Sequence, residues 1–159
     1  MLTKIKDPQP PRGLARIFYR LPIWLFRTRL SWLLGERFLL LTHIGRNSGL
    51  PRKAVLEVIR HDKESDTYFV TSGWDEKSDW YRNIKKTPEV TINVGRRRLN
   101  VVAVRLERRE AERELLDYAK RNPKVIRTLA RLIGYRLDGT EEDYRALARK
   151  LPIVAFRPK

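Results

Sequence analysis

Leu39–Lys53, LLLTHIGRNSGLPRK, is the stretch on which the fold turns. An apolar run stops at Gly45, Arg-Asn-Ser-Gly-Leu-Pro follows, and a second run opens with Arg52 and Lys53 at its mouth. Leu39–Ile44 and Ala54–Ile59 read as strands, with Asn47, Ser48, Gly49 and Pro51 as the turn residues between them. The hairpin gathers Arg46, Arg52, Lys53, the Ser48 hydroxyl and the N–H groups of a Gly-containing turn around one point. That is a candidate anion cradle. A solvated basic turn is the competing reading, and this stretch alone does not choose.

Downstream, Thr67–Ser72 (TYFVTS) is β-rich, and Val90, Ile92 and Val94 alternate with polar neighbours as in a half-buried strand. Arg98–Leu106 is apolar on both faces, which predicts a central strand. Ser78 or Asp79 is placed to cap a short helix that Pro88 ends after Lys86. Five strands with one short helix among them predict a small antiparallel barrel or sandwich, not βαβ units. The last third turns helical: Glu110–Asn122, a run from Pro123 to Ile133, and a helix capped at Thr140 with Tyr144, Leu147, Ala148 and Leu151 on one stripe. After Pro152, Ile153–Phe156 is expected to return as an edge strand.

Upstream, Met1–Arg12 holds three prolines and reads as a flexible lead-in. Residues 13–34 are apolar and aromatic, and a helix there would put Arg12, Arg16, Arg20 and Arg27 on one face, with Pro22 kinking or dividing it. The longest uncharged runs, Leu21–Phe26 and Leu30–Gly35, are six residues each, whereas a membrane span needs about 20. A basic amphipathic helix at 13–34 suits either the surface of an anionic bilayer or the outside of the barrel. The whole, residues 1–159, is read as one α+β domain.

Charge is lopsided. Lys and Arg number 35 against 19 Asp and Glu, a net +16. Such a field attracts nucleic acid, anionic lipid or a phosphorylated or polycarboxylate ligand. An Arg-rich surface laced with ion pairs is the alternative. The sequence has neither a recognition helix nor an RNA-binding aromatic sheet, so nucleic acid is disfavoured. With no cysteine, disulfides and thiolate chemistry are excluded. The absence of a signal or transit pattern points to the cytoplasm, with a peripheral place on the inner membrane face as its extension.

Chemistry in the side chains alone is sparse. His43 and His61 stand without further ligands at metal spacing, and His43 inside a strand reads as a satisfied histidine. Neither a G-x-S-x-G elbow, a Walker A loop nor a G-x-G-x-x-G fingerprint is present. An enzyme built this way needs a bound cofactor to carry its chemistry. Ser72–Asn83 (SGWDEKSDWYRN) collects Trp74, Trp80, Tyr81 and Lys77 where a strand end meets a helix start, a seat for a planar ring. Trp80 and Ile84, four apart, equally pin that helix to the barrel. Tyr144 is either a phenol that donates over such a ring or a member of its own apolar stripe.

In order along the chain, L-L-T-x-x-G-R-N-S-G-x-P-R, V-T-S-G, D-W-Y-R-N-I-x-x-x-P-x-V, V-G-R-R-R and the D-Y-R…L-P-I-V-A ending resemble the deazaflavin-dependent nitroreductase family. This is a branch of the split β-barrel flavin and deazaflavin oxidoreductases. The likeness is close from Glu36 to about Val104 and looser over Glu142–Pro158.

The resemblance implies a split β-barrel, mostly antiparallel, that binds coenzyme F420 with its phosphodiester-linked polyglutamate tail. It assigns Arg46, Asn47, Ser48, Arg52 and Lys53, with Gly49 in their turn, to the phosphate and acidic tail. Ser72, Gly73, Trp74 and the turn through Lys77 and Ser78 to Trp80 would border the deazaflavin ring, Lys77 being a second candidate for the phosphate. Tyr144 or Ser72 would polarise or protonate the acceptor. The acceptor is expected to be a quinone, a nitroaromatic or a similar activated molecule, and a lipid quinone would suit a membrane contact through 13–34. FMN as cofactor, and a basic non-catalytic module on anionic membrane or nucleic acid, are the alternatives. Oligomeric state stays open, a homodimer included.

Overall fold

The computed structural model describes residues 2–5, 36–71, 78–132 and 134–159. In chain order its elements are β1 (Thr3–Lys4), β2 (Phe38–Ile44), β3 (Pro51–Asp62), β4 (Thr67–Thr71), α1 (Asp79–Lys86), β5 (Glu89–Val94) and β6 (Arg97–Arg105). There follow α2 (Arg108–Arg121), α3 (Pro123–Leu132), β7 (Tyr135–Arg136), α4 (Glu141–Lys150) and β8 (Ile153–Pro158). The long strands close into a barrel in the order β2-β3-β4-β8-β6-β5, every neighbouring pair antiparallel.

Period-two alternation explains the barrel, and helices explain why some strands are apolar throughout. Tyr68, Val70, Val154 and Phe156 point into one core cluster with Leu39, Leu41, Ile92 and Val101. Their alternates Phe69, Ile153 and Ala155 point the other way, into a second cluster built with Leu115, Ile126 and Leu147 of the helices. Both faces of β4 and of the first part of β8 are therefore buried. β5 keeps the buried/half-exposed alternation of a one-sided strand. Burying a side chain such as Phe156 fully contributes roughly 2–3 kcal/mol. A register shift between Val58 and Arg60 in β3 allows Ile59 to join the helical cluster.

Three expectations need correction. Ile153–Phe156 is no edge strand: β8 runs to Pro158 and pairs with β4 on one side and β6 on the other. Pro152 precedes the ladder and Pro158 ends it, so neither interrupts it. The lead-in is not wholly free, because Thr3 and Lys4 pair with Arg136 and Tyr135, and the Ile5 N–H donates to the Gly134 carbonyl at 2.6 Å. The second strand of the opening hairpin begins at Pro51, three residues ahead of Ala54, so Arg52 and Lys53 lie inside the ladder opposite His43 and Thr42. The helix expected within residues 13–34 lies outside the described residues.

Candidate functional site

The hairpin tip is built from its own hydrogen bonds. The Gly45 N–H donates to the Leu50 carbonyl and the Gly49 N–H to the Gly45 carbonyl, both at 2.9 Å. The Leu50 N–H donates to Ser48 Oγ at 3.2 Å. Gly49 takes a φ of +69°, which its missing side chain makes inexpensive. A Cβ on Gly45 would stand 2.5 Å from Ser48 Oγ and 3.7 Å from Arg52 Nε. Any side chain at position 45 would have to push the serine hydroxyl aside, while Arg52 would stay at ordinary van der Waals distance. Among the described residues, the N–H groups of Asn47 and Ser48 have no partner. Two successive open amides at a basic tip are donors of the kind that an anion-binding nest uses.

Arg46 does not share that open side. Its backbone N–H and its Nη1 both donate to Asn83 Oδ1, at 3.0 and 2.9 Å. Its Nη2 reaches Asp79 Oδ1 at 3.2 Å, and Lys86 Nζ donates to its carbonyl at 2.8 Å. α1 thus holds Arg46 from outside the turn. Arg52 and Lys53 are exposed and have no acidic partner among the described residues.

Asn83 is the residue that sequence reasoning missed. It is 3 % exposed and bonds across 37 residues to Arg46 and 40 residues to His43. Because Oδ1 accepts from Arg46, Nδ2 is the group facing His43 Nδ1 at 3.0 Å, so Nδ1 accepts and the neutral ring carries its proton on Nε2. Burial holds His43 down to about 4, with Arg52 pushing the same way and Asp79 opposing. One signal was available: Asn83 shares the buried face of α1 with Trp80 and Ile84, and a polar residue there must find a partner.

The remaining predicted positions divide. Trp80 is buried in the barrel cluster with Ile84, edge-on to Tyr81 at 6.1 Å, which is the pinning role of their spacing. Ser78 is buried at the N-cap of α1 and makes no side-chain cap hydrogen bond. Tyr144 is buried in the helical cluster with Leu147, Ala148 and Leu151, in the apolar stripe, and its hydroxyl lies near Gly139. The structure does not bring it to the hairpin. Ser72, Gly73, Trp74 and Lys77 lie outside the described residues. Thr71, which precedes them, donates from Oγ1 to the Pro152 carbonyl at 3.2 Å and so ties the end of β4 to the start of β8.

The closed antiparallel barrel thus carries a basic tip with two successive amides that have no acceptor among the described residues. Residues 28–128 match the model of the F420H2-dependent quinone reductase family. The chain belongs to that family. It is an F420-dependent oxidoreductase, and coenzyme F420 is its cofactor. Among solved structures it resembles an F420H2-dependent reductase, FDR-A, at 23% identity and TM-score 0.55, over 78% of this chain and 96% of that one. It also resembles a pyridoxamine 5′-phosphate oxidase-related FMN-binding protein from Nostoc punctiforme, at 13% identity and TM-score 0.57, over 92% and 81% of the two chains. Likenesses this distant show the split-barrel fold. No curated protein sequence matches the chain. No helix among the described residues is long and apolar enough to cross a membrane.

Proposed function

We propose that this reductase transfers a hydride from reduced F420 to a quinone, with nitroaromatics and similar activated molecules as further acceptors. The observation that carries the reading is the tip of the hairpin: among the described residues, Arg52 and Lys53 have no acidic partner and the amides of Asn47 and Ser48 beside them have no acceptor. A phosphodiester with an acidic tail fits this donor set, because each anionic oxygen meets charge-assisted donors at short range. Gly45 supports the same fit, since any side chain there would displace the Ser48 hydroxyl.

Bound there, reduced F420 supplies the hydride; with one proton it converts a quinone to a quinol. The residues of the chain then have positional tasks. Arg52, Lys53 and the nest hold the phosphate and tail. Arg46 sets the turn through Asn83 and meets the anion only as part of the local field. Ser72, Gly73, Trp74, Lys77 and Ser78 border the ring in this proposal. Ser72 is the hydroxyl assigned to polarise the acceptor, since Tyr144 is enclosed among the helices. An acceptor drawn from a lipid bilayer by residues 13–34, and a cytoplasmic place for the enzyme, belong to the same proposal.

Titration of the full chain with F420, read by quenching of cofactor fluorescence and run beside FMN, tests the reading. Micromolar or tighter F420 binding, and F420H2 oxidation by menadione, are expected. Binding of FMN with no response to F420 would overturn it.

A further inference from the structure

The hairpin does not account for the arginines at the other end of the helical layer. A cavity of about 290 Å³ lies between the start of α2 and the end of α4, lined by Arg105, Leu106, Arg108, Ala111, Arg149 and Pro152 among others. Its charge arrangement is unusual. Arg108 Nε and Arg149 Nε both donate to the same oxygen, Glu112 Oε1, at 3.4 and 3.3 Å. One carboxylate therefore serves two guanidiniums, and it holds each by Nε. The outer Nη groups of both have no partner among the described residues. Arg105 also lines the cavity and donates from Nη1 to the Tyr81 hydroxyl at 2.8 Å.

Two guanidiniums on one carboxylate leave a local excess of positive charge, and paired Nη groups are the fork that binds a carboxylate, sulfonate or phosphate in two-point fashion. Leu106 and Ala111 add an apolar wall, and the volume is at the scale of a small-molecule pocket. Position matters as much as charge. Pro152 lines the cavity, and its carbonyl takes the hydroxyl of Thr71, the residue directly before the 72–77 segment assigned to the deazaflavin ring.

We propose that this cavity receives the anionic group of the electron acceptor, so that the preferred substrates are small aromatic or quinonoid acids. The inference rests on the reductase reading for the word acceptor, while the anion site stands on its own geometry. Arg108 and Arg149 are positioned to grip the acid, and the acceptor's ring then extends past Pro152 toward the end of β4.

The test has two arms on the full chain. In the first, calorimetry with the redox-inert naphthalene-2-sulfonate measures the site without cofactor. Arg108 and Arg149 are 67% and 52% exposed at the side chain, so their replacement leaves the core untouched. Arg108→Ala/Arg149→Ala should weaken binding about tenfold or more. Arg109→Ala/Arg145→Ala removes the same charge from the neighbouring groove, which those residues line, and should leave binding unchanged. No binding by the parent protein, or equal loss in both double variants, overturns the site. In the second arm, the Arg108/Arg149 variant should raise KM for 1,4-naphthoquinone-2-sulfonate about tenfold and leave menadione turnover unaltered. Sulfonate binding with no such KM change overturns the acceptor assignment. If F420 itself fails to bind, the reductase reading falls, and calorimetry still decides the anion site.

Discussion

At the residue scale the hairpin depends on groups that carry no charge. Gly49→Ala forces a side chain into the left-handed region with nothing to clash against, so the cost is conformational, about 1 kcal/mol. Gly45→Ala meets Ser48 Oγ at 2.5 Å and must displace it, so it should weaken F420 binding more than Gly49→Ala at similar stability. Fluorescence titration beside thermal melts checks the pair; equal affinities would separate Ser48 from the cradle. His43 makes a second prediction, in pH. Its folded value of about 4 lies below the ordinary 6.5, so between those values the unfolded chain binds a proton that the folded chain refuses. Stability is complete above about pH 6.5 and falls toward pH 4, by at most about 3 kcal/mol from this group. Asn83→Asp puts a carboxylate against Nδ1 and favours the protonated ring. Urea unfolding at pH 7 and pH 5 should show a smaller acid loss in the variant, and an unchanged loss would break the His43–Asn83 link.

At the element scale the short helix α1 decides the site. Trp80, Tyr81 and Ile84 bury it against the barrel cluster, and Asp79, Asn83 and Lys86 reach from it to Arg46. Loosening the helix should therefore loosen the cradle. Ile84→Ala removes buried methylenes at about 2–5 kcal/mol, and F420 affinity should fall with it although Ile84 touches no anion. Conservative Ile84→Val, about 0.5–1.5 kcal/mol, should preserve affinity. A variant that loses stability but binds F420 as the parent does would uncouple α1 from the hairpin. Elements of this kind were legible where pattern is local. Val90, Ile92 and Val94 marked β5, and Thr140 marked α4 through the Asp143 N–H that donates to its Oγ1 at 3.2 Å. Closure of the barrel is not local, so prolines around Ile153–Phe156 suggested an edge that closure abolishes. The β1–β7 ladder of two residues a side carries no pattern at all. Asn83 was hidden for the same reason, since its partners lie at the far side of a 37-residue separation.

At the scale of the whole molecule the net charge of +16 acts on any polyanionic cofactor before contact is made. Arg98, the second residue of β6, sits toward the end of β2 opposite the hairpin tip, since it pairs with Asn93, which pairs with Leu40, whereas Ile44 pairs with Pro51. It therefore contributes to the overall field and not to the cradle, whereas Arg52 contributes to both. Salt separates the two contributions. The screening length shrinks from about 10 Å at 0.1 M to about 3 Å at 1 M, so distant charges fade while direct hydrogen-bonded contacts persist. F420 association should slow as salt rises in the parent protein, because steering is a long-range effect on the on-rate. Arg98→Ala should give a modest loss of affinity at low salt that disappears by 1 M. Arg52→Ala should keep a loss of about tenfold at 1 M, where only its direct contact with the anion remains. Stopped-flow quenching of F420 fluorescence across that range reads both rate constants. If the two variants converge on the parent at high salt, Arg52 serves the field alone, and the anion is held by the Asn47–Ser48 nest and Lys53.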